Sequence, residues 1–349
     1  MFRLDIEAQA SSVPGAGDVA ITAIIPVYNG AAFIGNAIRS VQAQRSAVAS
    51  IFVVDDCSTD TTREIVTALA ADDARIKLMT NDTNSGPSFS RNRALAATET
   101  PIAAFLDADD EWLPKHTEAI QSAFGNVPDA SVAYTALPGQ QAISGETNEK
   151  LETRILSTPV LTLLETNPLP QSATAVRTAH VVNVGGYNTQ ARYAEDFDLW
   201  MRLALRGATF VEIPIVTLSR SIHDAQVSVR HANRMYQSAW QIRHIAFRTH
   251  FETVGHGLDA AAKNLSRAQA QDLAAALNMR RRDIAKQLLS QTDWIPNESM
   301  AREKTKRLVG WRWPFWRTAA FIYDCLPIRT KGWWRARRTA SPEIDALES

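Results

Sequence analysis

The chain is nearly free of cysteine: Cys57 and Cys325 are the only two in 349 residues. Two thiols cannot staple a disulfide-built fold or furnish a cysteine-rich metal site. No stretch of eighteen uninterrupted apolar residues occurs, which argues against a spanning helix. The first thirty residues lack a basic start followed by a long apolar run, so no secretory signal peptide is expected. Charge of one sign is not in excess either. Lys and Arg total 37 and so do Asp and Glu, which leaves no global case for a nucleic-acid binder. No Gly-x-Gly-x-x-Gly follows the first apolar run and no P-loop pattern occurs, so a dinucleotide or P-loop site is disfavoured. The setting expected from these absences is the cytoplasm, or the inner membrane surface with the chain peripheral to it.

What is present is a core and an alternation. The hydrophobic fraction is 45%, enough for a sizeable interior. The length suits two domains, or one large α/β domain with additions. After a loose lead over 1–19, Ala20–Val27 is an apolar run of strand length that ends in the turn signal Tyr28-Asn29-Gly30. A helical pattern over 31–44 follows, with Phe33, Ala37, Ile38 and Val41 on one face. Strands are expected at 51–54, 76–79 and 102–106, with helices at 60–71 and 88–97 between them. Fully apolar strands alternating with helices belong in a mostly parallel sheet covered on both faces. Past residue 115 the pattern loosens: a helix at 115–124, a strand near 131–135, a loop at 138–150, a helix over 151–166, and a helix from 194 to 205. A strand-like run from Phe210 to Leu218 is broken by Pro214, and long helical stretches fill 229–289.

Acidic residues gather past two of the strands: Asp55 and Asp56 after one, Asp107, Asp109 and Asp110 after another. In a parallel sheet both groups lie at one edge, the edge where ligands bind in open α/β folds. Close carboxylates raise one another's proton affinity, and a divalent cation removes the conflict. Hard oxygen ligands suit Mg²⁺ or Mn²⁺, whose remaining ligands are substrate phosphates and water. The competing reading is that these acids are solvated helix caps. Glu195-Asp196 opens an amphipathic helix and admits two readings as well, a favourable charge at a helix N-terminus or a general base.

The zero net charge hides an asymmetry. Residues 301–340 carry eleven Lys or Arg against two acids, and five of the nine tryptophans: Trp311, Trp313, Trp316, Trp333 and Trp334. Three readings stand: a segment on an anionic membrane surface, a docking surface for a partner, or an ordinary helical appendage.

Five motifs occur in order: Ile25-Pro26-Val27-Tyr28-Asn29-Gly30, Val53 to Asp60, Ser90-Arg91-Asn92-Arg93-Ala94-Leu95, Phe105 to Asp110, and Glu195-Asp196-Phe197-Asp198-Leu199-Trp200. Together they resemble glycosyltransferase family 2, over about residues 20–230. The resemblance implies a GT-A fold: an open, mostly parallel α/β sheet flanked by helices, with a helical C-terminal extension over 231–349. It implies a nucleotide-binding half, 20–114, and an acceptor half, 115–230. Pro26, Tyr28 and Asp55 would line the base and ribose pocket, and Arg91 would sit beside the nucleotide or diphosphate. Asp107 and Asp109 resemble the Asp-x-Asp motif, with Asp109 the direct ligand of Mn²⁺ or Mg²⁺. His223 resembles a residue that closes over the metal. Asp196 resembles the catalytic base, with Glu195 shaping its surroundings. Gly186, Tyr187 and Trp200 fall on the acceptor side.

The implied reaction is inverting transfer of a sugar from a nucleoside-diphosphate sugar, uridine-linked by preference, to a hydroxyl of a glycan or lipid-linked glycan. The setting implied is polysaccharide or surface-glycan synthesis. No Gln-x-x-Arg-Trp follows Asp196, so processive polymerisation is not expected. The alternatives are a catalytically inactive nucleotide-sugar or glycan binding module, and a nucleotidyltransferase. The latter usually wants a basic, Gly-rich loop where this chain has Pro26 to Gly30.

Overall fold

A computed structural model describes residues 19–137, 152–191, 193–221 and 231–247. His223, nearly all of the N-terminal lead, most of the C-terminal extension and the basic, Trp-rich segment lie outside the described residues. The chain divides into two compact units, Met1–Pro159 with Pro168–Arg230, and Val160–Asn167 with His231–Ser349. No helix among the described residues is long and apolar enough to cross a membrane.

The first unit is built on strands β1 (Ile21–Val27), β2 (Ser50–Asp55), β3 (Ile76–Thr80), β4 (Ile102–Phe105), β5 (Glu111–Trp112), β6 (Ala130–Ala136), β7 (Arg154–Ile155), β8 (Thr174–Arg177), β9 (Thr209–Val216) and β10 (Leu218–Ser219). Eight of them form one sheet in the order β3-β2-β1-β4-β8-β6-β9-β7, and β5 pairs with β10. The β3-β2-β1-β4 half is all parallel. β8 runs antiparallel to both β4 and β6, while β6 and β9 are parallel.

Every residue of β1 is buried, because the strand has neighbours on both edges and helices against its faces. Each Ile or Val so buried contributes roughly 1.5–3 kcal/mol of transfer free energy. Helix α1 (Ile34–Gln42) covers it with Ile34, Ala37, Ile38 and Val41, the i, i+3, i+4, i+7 spacing of one helical face. The helix starts one residue after Phe33, which stays at the surface at the helix start while Ile34 takes the core position. Helices α2 (Thr62–Asp72), α3 (Pro87–Ala96) and α4 (His116–Asn126) complete this half. Two further helices of this unit are α6 (Thr178–Asn183) and α7 (Glu195–Leu205), while α5 (Pro159–Glu165) lies, but for Pro159, in the second unit.

Two expectations change. The helix read over 151–166 is only α5, since Arg154 and Ile155 pair antiparallel with β9. Pro159 starts the helix, the position where its missing N–H is harmless. Pro214 does not break its strand. The ladder shifts register between Thr135 and Ala136, whose partners are Ile213 and Val216, and that irregularity absorbs the residue without a donor. In the second unit, α8 (Ala232–Ala246) directs Arg243 Nε to the Leu163 carbonyl of α5 at 3.3 Å.

Candidate active site

The carboxyl ends of β1, β2 and β4 share one edge, and two of the five motifs are knitted together there. After β1 the chain turns through Asn29, at φ 48°. Asn29 N donates to Ser58 Oγ at 2.8 Å, and Thr59 N donates back to Asn29 Oδ1 at 2.8 Å. Gly30 N donates to Thr62 Oγ1 at 3.0 Å. A Cβ on Gly30 would lie 2.5 Å from Val27 Cγ2, so this turn closes only with glycine. The result is a rigid shelf from which Tyr28 projects, 51% exposed, beside the buried Pro26.

The two aspartates after β2 are inward. Asp55 has no exposed side-chain surface; its carboxylate accepts from Arg63 Nε at 2.6 Å and from Ser58 N at 3.2 Å. Asp56 accepts from Asn81 Nδ2, Ser85 N and Gly86 N at 2.7, 2.9 and 2.7 Å. It thereby holds the loop that leads into α3. Asn81 also donates to Ser90 Oγ at 2.9 Å and accepts from Arg93 Nη1 at 2.9 Å. Asp55 therefore ties the end of β2 to α2, while Asp56 fixes the start of α3.

Arg91, on α3, is the centre of the site. Its side chain is 4% exposed. Nη2 donates to Asp107 Oδ1 at 2.7 Å and Nη1 to Glu195 Oε1 at 3.0 Å. The guanidinium lies over the Tyr187 ring, 5.3 Å from its centroid. Burial opposes its charge, but Asp107, Tyr187 and Glu195 outweigh that and hold it firmly protonated. Nε is buried without a hydrogen-bond partner among the described residues.

Asp196, half-buried at the start of α7, accepts from the Phe197 amide at 2.7 Å. Burial first, and then the Glu195 charge, push its carboxyl up to about 7, against the pull of that amide and of Arg91. Asp107 adds to the upward push, so the end of β4 and the start of α7 feel one another electrostatically although 89 positions separate them. Asp110 is buried and lifted to about 6 by burial, with Asp107 and Asp109 adding and Ser172 and Arg220 opposing. It accepts from the Ser221 amide at 3.2 Å.

Of the residues expected on the acceptor side, Tyr187 and Trp200 are interior. Tyr187 stacks edge-on against Phe105 at 5.4 Å, and its hydroxyl accepts from Gln171 Nε2 at 2.9 Å. Trp200 is fully buried. Gly186, at φ 67°, packs against Asn92, which grips Tyr187 twice, Nδ2 to the carbonyl at 2.8 Å and Oδ1 from the amide at 2.7 Å. Arg202 donates to the carbonyls of Val184 and Gly186 at 2.8 and 2.7 Å and to Asp198 at 2.8 Å. Sequence reasoning gave Asn92 and Arg202 no role. Asn92 stood inside a quoted motif, and Asp198–Arg202 has the i, i+4 spacing of a helical ion pair, so that signal was available.

Among the described residues, no group of three His, Cys, Asp or Glu is placed to hold a metal ion. A Mg²⁺-type cation needs only one or two protein carboxylates when phosphates supply the rest. Asp107, 37% exposed, and Asp109 are hard oxygen donors at the strand end and fit that partial set.

Comparisons with known proteins agree with this geometry. Residues 22–171 match the family described as Glycosyl transferase family 2. The UDP-Glc:alpha-D-GlcNAc-diphosphoundecaprenol beta-1,3-glucosyltransferase WfgD of Escherichia coli is 40% identical over 101 residues, 29% of this chain and 39% of that protein. The pre-mycofactocin glycosyltransferase of Mycobacterium tuberculosis is 28% identical over 223 residues, 60% of this chain and 44% of the relative. The chain thus spans less than half the length of these relatives. Among solved structures, the mannosyltransferase PcManGT of Pyrobaculum calidifontis, in complex with GDP-Man and Mn²⁺, has TM-score 0.55 and 19% identity. It covers 87% of this chain, which in turn covers 88% of it. TarS of Staphylococcus aureus, residues 1–349 in complex with UDP-GlcNAc, has TM-score 0.52 and 17% identity, with coverage of 77% and 90%. The α/β sheet is the fold shared with these solved structures, and residues 22–171, which carry four of the five ordered motifs, resemble glycosyltransferase family 2.

Proposed function

We propose that this chain is an inverting glycosyltransferase that moves a sugar from a nucleoside-diphosphate sugar to a hydroxyl of a glycan or lipid-linked glycan. One observation carries the reading: Arg91 bonds both Asp107, at the end of β4, and Glu195, at the start of α7, which brings the Glu195-Asp196 pair to the same edge as the Asp-x-Asp segment. Uridine is the favoured nucleotide; TarS was solved with UDP-GlcNAc, and WfgD is named for a UDP-Glc donor and a diphosphoundecaprenol acceptor. The same name suggests a lipid-linked acceptor, which suits a chain working at the inner membrane surface with 301–340 as its contact.

In this mechanism Pro26 and Tyr28 form the wall of the nucleotide pocket, and Asp55 supports it from below. Asp109, with His223, would hold Mg²⁺ or Mn²⁺, which supplies positive charge against the leaving diphosphate. Asp196 accepts the proton of the acceptor hydroxyl as that oxygen attacks the anomeric carbon. Attack on the face opposite the leaving group inverts the centre in one displacement. Glu195, bonded to Arg91, lies next to Asp196 and raises the proton affinity of that carboxyl, which makes it a stronger base than an isolated aspartate. Gly186 and Tyr187 build the turn that delivers Asp196 to the acceptor side, and Trp200 anchors α7 in the core.

The test is a donor screen on the purified chain. Nucleotide release from UDP-, GDP- and dTDP-sugars is scored with Mn²⁺ or Mg²⁺ and again with EDTA, beside Asp109→Ala and Asp196→Ala. Release of one nucleotide, lost with EDTA and in both variants, is the expected result. Absence of both release and calorimetric binding with every donor would remove the transferase reading.

A further inference from the structure

Arg91 bonds carboxylates from both halves of the candidate site. The family resemblance sets it beside the nucleotide, but its surroundings leave it little to offer a ligand. It is nearly sealed from solvent, both Nη groups are spent on carboxylates, and one face of its plane is covered by Tyr187. We propose that Arg91 is a positioning residue, which fixes Asp107 on the donor side and Glu195 on the base side at one distance and does not touch the nucleotide. This inference rests on the transferase reading.

Three observations converge on it. First, the two carboxylates come from distant parts of the chain, the end of β4 and the start of α7, and one planar fork reaches both, at 2.7 and 3.0 Å. Second, the arrangement is a poor device for stability alone. Buried ion pairs cost desolvation, and this one leaves the Nε–H without a partner among the described residues. Third, Arg91 is itself held on two sides. Asn81 bonds Ser90 and Arg93 at its flanks, while the next residue, Asn92, clamps the backbone of the Tyr187 that lies under the guanidinium. Such over-determined placement suits a spacer whose length matters.

Lys is the discriminating substitution, because it keeps the charge but offers a point cation rather than a fork. In Arg91→Lys, kcat for donor turnover should fall about tenfold or more, since small misplacements of reacting groups are costly. The calorimetric Kd for UDP, measured with Mn²⁺, should stay within about threefold of the parent, because no contact to nucleotide is lost. Glu195→Gln removes one arm only and should reproduce the same split of a lowered kcat with unchanged Kd. The combination Arg91→Lys with Glu195→Gln should lose less than the product of the two single effects, as residues that act as a unit do. A UDP Kd weakened tenfold in Arg91→Lys overturns the proposal and returns Arg91 to the nucleotide. An unchanged kcat overturns it also. Should Arg91→Lys fail to fold, Glu195→Gln carries the same comparison. Failure of the parent to bind or turn over any donor counts against the transferase reading instead, so the two failures are told apart.

Discussion

The turn before α7 gives the sharpest test of how the site is held. Gly185 and Gly186 both have positive φ, 86° and 67°. An alanine at either position carries the left-handed penalty of roughly 1–2 kcal/mol. Their surroundings differ. A Cβ on Gly185 meets nothing within 4 Å, whereas one on Gly186 lies 2.5 Å from Asn92 Oδ1 and 3.2 Å from its Cγ. Asn92 would have to swing away and surrender its two bonds to Tyr187, each of about 1 kcal/mol. Gly185→Ala should therefore cost about 1–2 kcal/mol, and Gly186→Ala roughly 3–4 kcal/mol. At about 2–4 °C per kcal/mol, the two melting midpoints should differ by roughly 4–8 °C. Hydrogen exchange of the Tyr187 amide reads the same event locally, since that N–H is donated to Asn92, and should accelerate by more than about tenfold in Gly186→Ala alone. In an Asn92→Ala background the clash and both bonds are gone, so the extra cost of Gly186→Ala should vanish. Equal midpoints for the two glycine variants, or an extra cost that persists without the Asn92 side chain, would refute the reasoning.

Donor turnover should rise with pH through about 7, the value to which burial and Glu195 push Asp196, because only the ionised form accepts a proton; a pH profile of kcat checks this. A carboxyl raised in the folded state is a stability contribution present at low pH and lost as pH climbs from 3.8 toward 7. Asp196→Asn should accordingly be the more stable protein at pH 8, with the advantage shrinking as pH falls toward 4 in a pH series of melting midpoints. His116 behaves in the opposite sense. It is fully buried, its Nδ1 is bonded to Thr217 at 2.7 Å, and burial depresses it to about 3. The unfolded chain takes up that proton first, so stability should fall by roughly 1.4 kcal/mol per pH unit below 6.5, and His116→Gln should flatten that slope in acid titrations of the melting midpoint. Replacing Arg335, Arg337 and Arg338 with Ala should weaken binding to anionic vesicles by about 1 kcal/mol per charge, in a salt-dependent way, with no change on neutral vesicles.

The strands β1, β2 and β4 were legible because a strand buried on both faces must be apolar along its length, and that is a property of the local string. The order of motifs was legible for the same reason. The paired acids past β2 and β4 read as one edge once the sheet was taken to be parallel. What the string could not carry is which way a side chain turns after its strand ends. Asp55 and Asp56 are neighbours with the same chemistry, yet one is claimed by Arg63 and the other by the loop before α3. The resemblance placed Arg91 beside the nucleotide or diphosphate. The carboxylates it bonds in the structure, Asp107 and Glu195, lie 16 and 104 positions away. The rotation of α3 about its axis, set by Asn81 and Asn92, decides that it faces them. The raised proton affinity of Asp196 is also a tertiary product, since it comes from burial and neighbouring charge rather than from the residue. Sequence by itself determined the class of sheet and the types of group at its edge. The tertiary structure alone decided which carboxylates are bonded to a cation and which is buried with a raised proton affinity, because that depends on distances of a few ångströms between elements the chain does not keep adjacent.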